Sequence, residues 1–191
     1  MQWSELLSRL RGALLPAAYL GGAALLGFAA SLVLLLLLRL WGRRRGATLA
    51  GSLRRRLAGP LRLTIPLLAA SAVHPLAAFS GPLQELLRQL LSILTIAAIS
   101  WLLVRGAAVL EDFLLERYNI AAADNLRARK LYTQVRYLRR VFTVVVAVLA
   151  GATILMNFQK VRQLGATILA SAGILGLVLG FASQRSIALL F

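Results

Sequence analysis

The chain has 191 residues, 60% of them hydrophobic, and a mean hydropathy of +0.80; soluble domains hold roughly 45–50% apolar residues, so an ordinary soluble enzyme is excluded. Lys and Arg number 22 against 6 Asp and Glu, a net charge of +16, but the cations stand in blocks between long apolar runs, which fits a membrane surface and argues against nucleic acid. With no Cys and one His, thiol catalysis, disulfides and Cys-based metal sites are excluded, and no catalytic residue, metal site or cofactor is expected.

Five apolar runs follow one another. Gly12 to Leu38 is uncharged for 27 residues, too long for the h-region of a signal peptide, and Glu5 interrupts a basic n-region; it reads as a retained helix anchored by Arg39 and Trp41. The second run, 63–84, contains Pro66 and Pro75 and ends in the turn Ser80-Gly81-Pro82. Beside Pro75 lies His74, either a proton relay or a hydrogen-bonded residue near the membrane rim. The third run, 86–104, includes Arg88 at its rim, whose stem can snorkel. The fourth covers 141–159 and the fifth 163–185. A helix needs roughly 20 residues to cross hydrocarbon, so the expected fold is an all-α membrane protein with five transmembrane helices, three of them within residues 1–104.

Between the third and fourth runs, residues 105–140 form a basic linker. Leu131, Val135, Leu138 and Phe142 repeat at helical spacing, while Arg129, Arg136 and Arg140 share another face. Such a helix lies on an anionic leaflet or extends the fourth run into solvent. The segments 39–62 and 105–140, with Arg185, hold 17 of the 22 cations. The positive-inside rule then puts the N-terminus outside and the C-terminus in the cytoplasm. Arg43, Arg44, Arg45, Arg54, Arg55 and Arg56, with Arg129, Arg136 and Arg140, are the expected contacts for anionic lipid.

The fifth run carries four glycines. Gly165, Ala166, Ala170, Gly173, Gly176 and Gly180 fall within an arc of roughly 140° on a helical wheel. Each glycine costs a helix about 1 kcal/mol relative to Ala, so close helix approach is the expected reason, and Gly176 and Gly180 form a GxxxG pair. The stripe serves either a helix pair inside one chain or a ring of identical helices. Leu177 and Phe181 lie one turn apart at its edge, where they face a central axis, lipid or another helix.

The segment Val161–Gln184, with Ile168-Leu169-Ala170-Ser171-Ala172-Gly173, Gly176, Gly180, Ala182 and Gln184, resembles the pore helix of the small-conductance mechanosensitive channel (MscS-like) family. Arg127 to Arg140 and the corner Leu155 to Phe158 look like the preceding helix and its outer turn, so the resemblance covers about 65 residues, Arg127 to Phe191. It implies a homo-oligomer, a heptamer in that family, in a bacterial inner membrane. It also implies that the fifth helix lines the pore, that Leu177 and Phe181 make the constriction, and that the helix bends near Gln184 and Arg185. Where the family has a Gly after the Gln, this chain has Arg185. An inner-surface helix would begin over 186–191, and the family's β-domain and cytoplasmic vestibule lie beyond the sequence, which is expected to be a membrane module.

The function expected is a tension-gated, weakly selective ion channel subunit that releases ions and small solutes on hypo-osmotic shock, and not an enzyme. The rivals are the membrane domain of a secondary transporter and a non-conducting scaffold for a missing cytoplasmic domain. All six acids lie outside the uncharged runs, which counts against the transporter.

Overall fold

A computed structural model describes residues 2–45, 47–77, 82–117 and 126–188. These residues are almost entirely helical, with no strand among them: α1 Gln2–Arg45, α2 Ala47–Val73, α3 Pro82–Arg117, α4 Leu126–Met156 and α5 Arg162–Ala188, with short 3-10 turns at His74–Leu76 and Gln159–Val161. Helix is the form an apolar run must take in hydrocarbon, where every backbone N–H and C=O has to find its partner within the segment. Four stretches are long and apolar enough to cross a membrane: Pro16–Leu40, Leu83–Leu115, Tyr132–Met156 and Gln159–Gln184.

The second run behaves differently from the expectation. Residues 63–84 are not one helix. The α-helix ends at Val73, a 3-10 turn takes over at His74–Leu76, and Pro82 opens α3. Pro75 has no N–H to donate and disfavours α geometry at His74, whereas Pro82 sits at a helix start, where a missing N–H costs nothing. The uncharged part of α2 is therefore only Leu63–Val73, preceded by Arg54, Arg55, Arg56 and Arg62 on the same helix.

Residues 105–140 divide between two helices, and of the two readings of the basic segment the one that extends the fourth run matches the helix observed. The first part continues α3 to Arg117 and the last part begins α4 at Leu126; residues 118–125 lie outside the described ones. No Gly or Pro interrupts 107–117, and the residues there are mostly good helix formers, so α3 propagates past the run's end. Consequently Glu85, Glu111 and Asp112 stand within the Leu83–Leu115 stretch, near its two ends, and not outside the spans as the uncharged runs imply. At the other end of the chain, α4 stops at Met156, where Phe158 turns to extended backbone. Helical structure in α5 continues through Gln184 and Arg185, the expected bend, to Ala188; residues 189–191 of the expected inner-surface helix lie outside the described ones.

The chain forms two compact units, Met1–Val146 and Ala147–Phe191. In the first, α2 packs against both α1 and α3. Its approach to α1 depends on one glycine. A Cβ on Gly27 would stand 2.7 Å from Pro66 Cα and 3.0 Å from Ala69 Cβ. The contact is backbone to backbone, as small residues permit between membrane helices. Against α3, α2 uses polar groups: Thr64 Oγ1 donates to its own helix at Pro60 O (2.8 Å) and lies 3.2 Å from Ala98 O, and the hydroxyls of Ser71 and Thr95 share a 2.9 Å hydrogen bond. Trp101 covers Gly59, 3.4 Å from where its Cβ would be. These pairs run in opposite directions along the two sequences, so α2 and α3 are antiparallel. His74, in the 3-10 turn that follows α2, is buried, and its Nε2 has no hydrogen-bond partner among the described residues.

This packing sets an asymmetry among glycines. Gly27→Val should lower the unfolding free energy in detergent by about 1–3 kcal/mol, because a branched side chain must be forced against the Pro66 backbone. Gly21→Val, where nothing lies within 4 Å, should change it by less than half as much. Thermal melting followed by circular dichroism checks the pair.

Candidate functional site

Along α5 the sequence is apolar on every side, and the fold does not cover it. Residues 173–184 are all exposed. Leu175, Leu177, Leu179 and Phe181, which point in different directions around the helix, are 63%, 63%, 66% and 72% exposed. A helix apolar all round belongs inside a larger protein or in a membrane.

The glycine stripe divides into two parts with different surroundings. Gly165 is used within the chain. A Cβ there would stand 2.5 Å from the carbonyl oxygen of Ala152 and 2.7 Å from Met156 Cγ. This closes the α4–α5 hairpin, and Ala152 on the facing side is 1% exposed. The hairpin's tip is built from short backbone bonds, Asn157 N–H to Ile154 O (3.0 Å), Phe158 N–H to Leu155 O and Val161 N–H to Phe158 O (both 3.1 Å). Gly173, Gly176 and Gly180 have nothing within 4 Å of a built Cβ. Ala166 and Ala170, also on the stripe, are exposed. The two readings of the stripe thus apply to different residues: among the described residues, the intrachain one accounts for Gly165.

Leu177 and Phe181 lie on the exposed length of α5, one turn apart, and Gln184 is exposed below them. The side chain of Arg185 lies outside the described ones, as do those of Arg43, Arg44, Arg45 and Arg129. Of the other arginines expected to meet lipid, Arg54, Arg55, Arg136 and Arg140 are exposed, and the Arg136 guanidinium stacks over the Tyr132 ring at 4.8 Å. Arg56 is taken by protein. Its Nη2 donates to Asp112 Oδ1 at 2.7 Å, and its Nε lies 2.7 Å from Oδ2, a two-point pairing that joins α2 to α3.

The neighbouring acid is engaged elsewhere. Glu111, with a side chain 7% exposed, accepts from Arg139 Nη1 on α4. Successive residues on a helix point about 100° apart, so Glu111 and Asp112 reach two different helices from the same turn of α3. Both pairs were missed in the sequence. The available signal was two adjacent acids flanked by Val109, Leu110, Phe113 and Leu114 in a chain with few acids: an apolar setting in which a carboxylate needs a cation. At the opposite end of α3, Glu85 forms a local pair with Arg88 (2.7 and 2.9 Å) and accepts from Gln89 (3.0 Å), so the rim Arg88 has a carboxylate beside it.

Beyond Glu111 an apolar cleft of about 650 Å³ separates α3 from α4, with Leu103, Gly106 and Leu110 on one wall and Leu138, Phe142 and Val145 on the other. The Leu138 and Phe142 positions belong to the amphipathic stripe of the basic segment. Among the described residues, no group of three or more His, Asp or Glu is placed to hold a metal ion. Comparison with protein-family models, curated proteins and solved structures gave no match.

The division of the stripe is measurable in a single chain. Gly165→Ala should cost about 1–3 kcal/mol of stability, since its methyl meets the Ala152 backbone. Ala at 173, 176 or 180 should leave the detergent-solubilised monomer unchanged or more stable by up to about 1 kcal/mol, from helix propensity alone. Thermal melts at high detergent-to-protein ratio compare the four variants.

Proposed function

We propose that the chain is a subunit of a homo-oligomeric, tension-gated and weakly selective ion channel, with α5 lining the pore. One observation carries this reading: three glycines at helical spacing, along the exposed stretch 173–184, with nothing within 4 Å of a built Cβ among the described residues. Each glycine costs helix stability, and the return available in a membrane is close approach of another helix. A second copy supplies α5 helices with matching small faces. The similarity of Val161–Gln184 to the MscS-like pore helix supports the same arrangement and suggests seven subunits.

Leu177 and Phe181 then form two apolar rings about 6 Å apart along the axis. Water in a narrow apolar ring forfeits hydrogen bonds, so the rings block ions by dewetting. No charged residue lies between Gly165 and Gln184, so the pore has no ring of charge to select ions strongly. Tension favours the conformer with the larger area in the membrane plane, and the opening of the rings passes ions and small solutes.

The membrane topology in this reading has five crossings, with α2 as the fifth. Its two neighbours supply the depth. Gly27 lies one residue from the middle of Pro16–Leu40, and Ala98 one residue from the middle of Leu83–Leu115. Both meet α2 at residues 64–66. At 1.5 Å per residue, Leu76 is about 15–18 Å from that level on one side and Arg56 about 12–15 Å on the other. That matches the half-thickness of a hydrocarbon core of about 30 Å. Arg62 is exposed within this interval, and its long stem extends toward the inner headgroups. Five crossings put the arginine-rich ends of α1, α2, α3 and α4 on one side, the cytoplasmic face of a bacterial inner membrane, with the N-terminus outside. Arg54, Arg55, Arg136 and Arg140 there face anionic lipid.

The test is patch recording under suction. Leu177→Ser and Phe181→Ser place a hydroxyl from every subunit in the rings and should lower the threshold or cause leak, with slowed growth of expressing cells. Leu175→Ser, about half a turn away, should leave the threshold unchanged. Threshold lowering by Leu175→Ser alone would place the pore on the other face of α5, and absence of tension-activated current in the parent would remove the channel reading.

A further inference from the structure

We propose that Glu111 and Arg139 form a releasable latch that holds α4 to α3 at the inner membrane face, and that release exchanges the Glu111 carboxylate for an inner-leaflet lipid phosphate as the partner of Arg139. The proposal rests on the membrane topology proposed above, not on conduction.

The way α3 meets its two neighbours is unequal. Its packing with α2 is distributed along the helix: Trp101 covers Gly59, the Ala98 carbonyl faces Thr64, Thr95 bonds Ser71, and Asp112 binds Arg56 by two contacts. On the α4 side the described polar contact is a single one, Glu111 with Arg139. Next to it the apolar cleft of about 650 Å³ keeps the helices apart, and a Cβ on Gly106, on the cleft wall, would meet nothing within 4 Å. In hydrocarbon an apolar gap supplies no force to close it, because lipid tails are as apolar as the side chains. Among the described residues, the Glu111–Arg139 ion pair is therefore the contact that holds α4 to α3 beside the cleft.

That pair is built unevenly. The Glu111 side chain is 7% exposed and that of Arg139 36%. The acid is fixed and buried; the cation is at the rim, with further N–H groups able to bind an anion. Asp112 is engaged by Arg56 through a hydrogen bond to Oδ1 and an ion contact at Oδ2, so it is not the partner of Arg139. The available competitor for Arg139 is the phosphate of an inner-leaflet lipid, which guanidinium binds by the same two-point geometry. An anionic leaflet thus pulls Arg139 outward, and the buried Glu111 pulls it back.

The absence of native cysteine makes the latch directly testable in the full chain. Leu110→Cys with Leu138→Cys spans the cleft, and the rate of disulfide formation in vesicles reports how closely α4 stays by α3. Ser71→Cys with Thr95→Cys, whose parent hydroxyls are 2.9 Å apart, reports α2–α3 packing. Glu111→Gln or Arg139→Gln should slow cleft crosslinking on the order of tenfold, the usual size of a coupling between two elements, without slowing the α2–α3 pair. The exchange Glu111→Arg with Arg139→Glu should recover most of the rate. Asp112→Asn should leave the cleft rate unchanged. In the parent, replacing neutral phospholipid by vesicles rich in phosphatidylglycerol should slow cleft crosslinking, and Arg139→Gln should abolish that dependence. Unchanged or faster crosslinking in the single variants, or equal loss of both crosslinks, which marks general unfolding, would overturn the latch. No lipid dependence in the parent would overturn the exchange.

Discussion

Apolar side chains gain nothing by leaving lipid for one another, so membrane helices associate where their backbones come close or where polar groups find partners. Both means are visible in this chain, and at different places. Gly27 brings α1 onto α2 and Gly165 brings α5 onto α4, each at distances that a single methyl group would violate. Thr64, Ser71 and Arg56 join α2 to α3 through polar contacts. Once these approaches are made, three glycines of α5 have nothing within 4 Å among the described residues, and this open small face is the basis of the proposed assembly.

The same constraint explains the charged groups. A chain with 22 cations and 6 acids has few carboxylates to place, and two of them are adjacent near the C-terminal end of α3. Partnering each with an arginine from a different helix makes that turn a junction. Removing one partner from a buried pair leaves the other charge uncompensated, at a cost of about 3–5 kcal/mol for a fully buried pair and less here, where Arg56, Asp112 and Arg139 are partly solvated. The junction is therefore firm enough to shape the unit and weak enough to change partners.

Much of the architecture was legible in the sequence. Four of the five uncharged runs correspond to stretches able to cross a membrane, because length and hydropathy alone dictate helix there. The second run was not, since a run free of charge is not the same as a helix: Pro75 and Pro82 divide it, and the helix that contains its first half begins 16 residues earlier, among arginines. Helix continuity through 105–117 was likewise hidden, because charge marks where a helix leaves the membrane but not where its backbone ends; continuity from Leu126 into the fourth run was legible in the amphipathic stripe, which runs into Val141 without a break. For the candidate site, the wheel placed six small residues on one face, yet no wheel tells which of them meets its own chain. That distinction required Ala152 and Met156, which are close to Gly165 in space but separated from it by the hairpin turn. The Glu111 and Asp112 pairings were illegible for the same reason: their partners lie on other helices, 28 and 56 residues away.

The central claim is that the open face of α5 is covered by other copies of the chain, and the mass of the particle extracted from membranes tests it most directly. Native mass measurement in mild detergent or lipid nanodiscs should find a ring of several copies for the parent, with seven the number favoured. Gly176→Leu or Gly180→Leu should shift it toward smaller species, while Gly165→Ala acts on the single chain. A parent that runs as one chain of 20.6 kDa across lipid compositions, with no larger species captured by crosslinking in the membrane, would contradict the account.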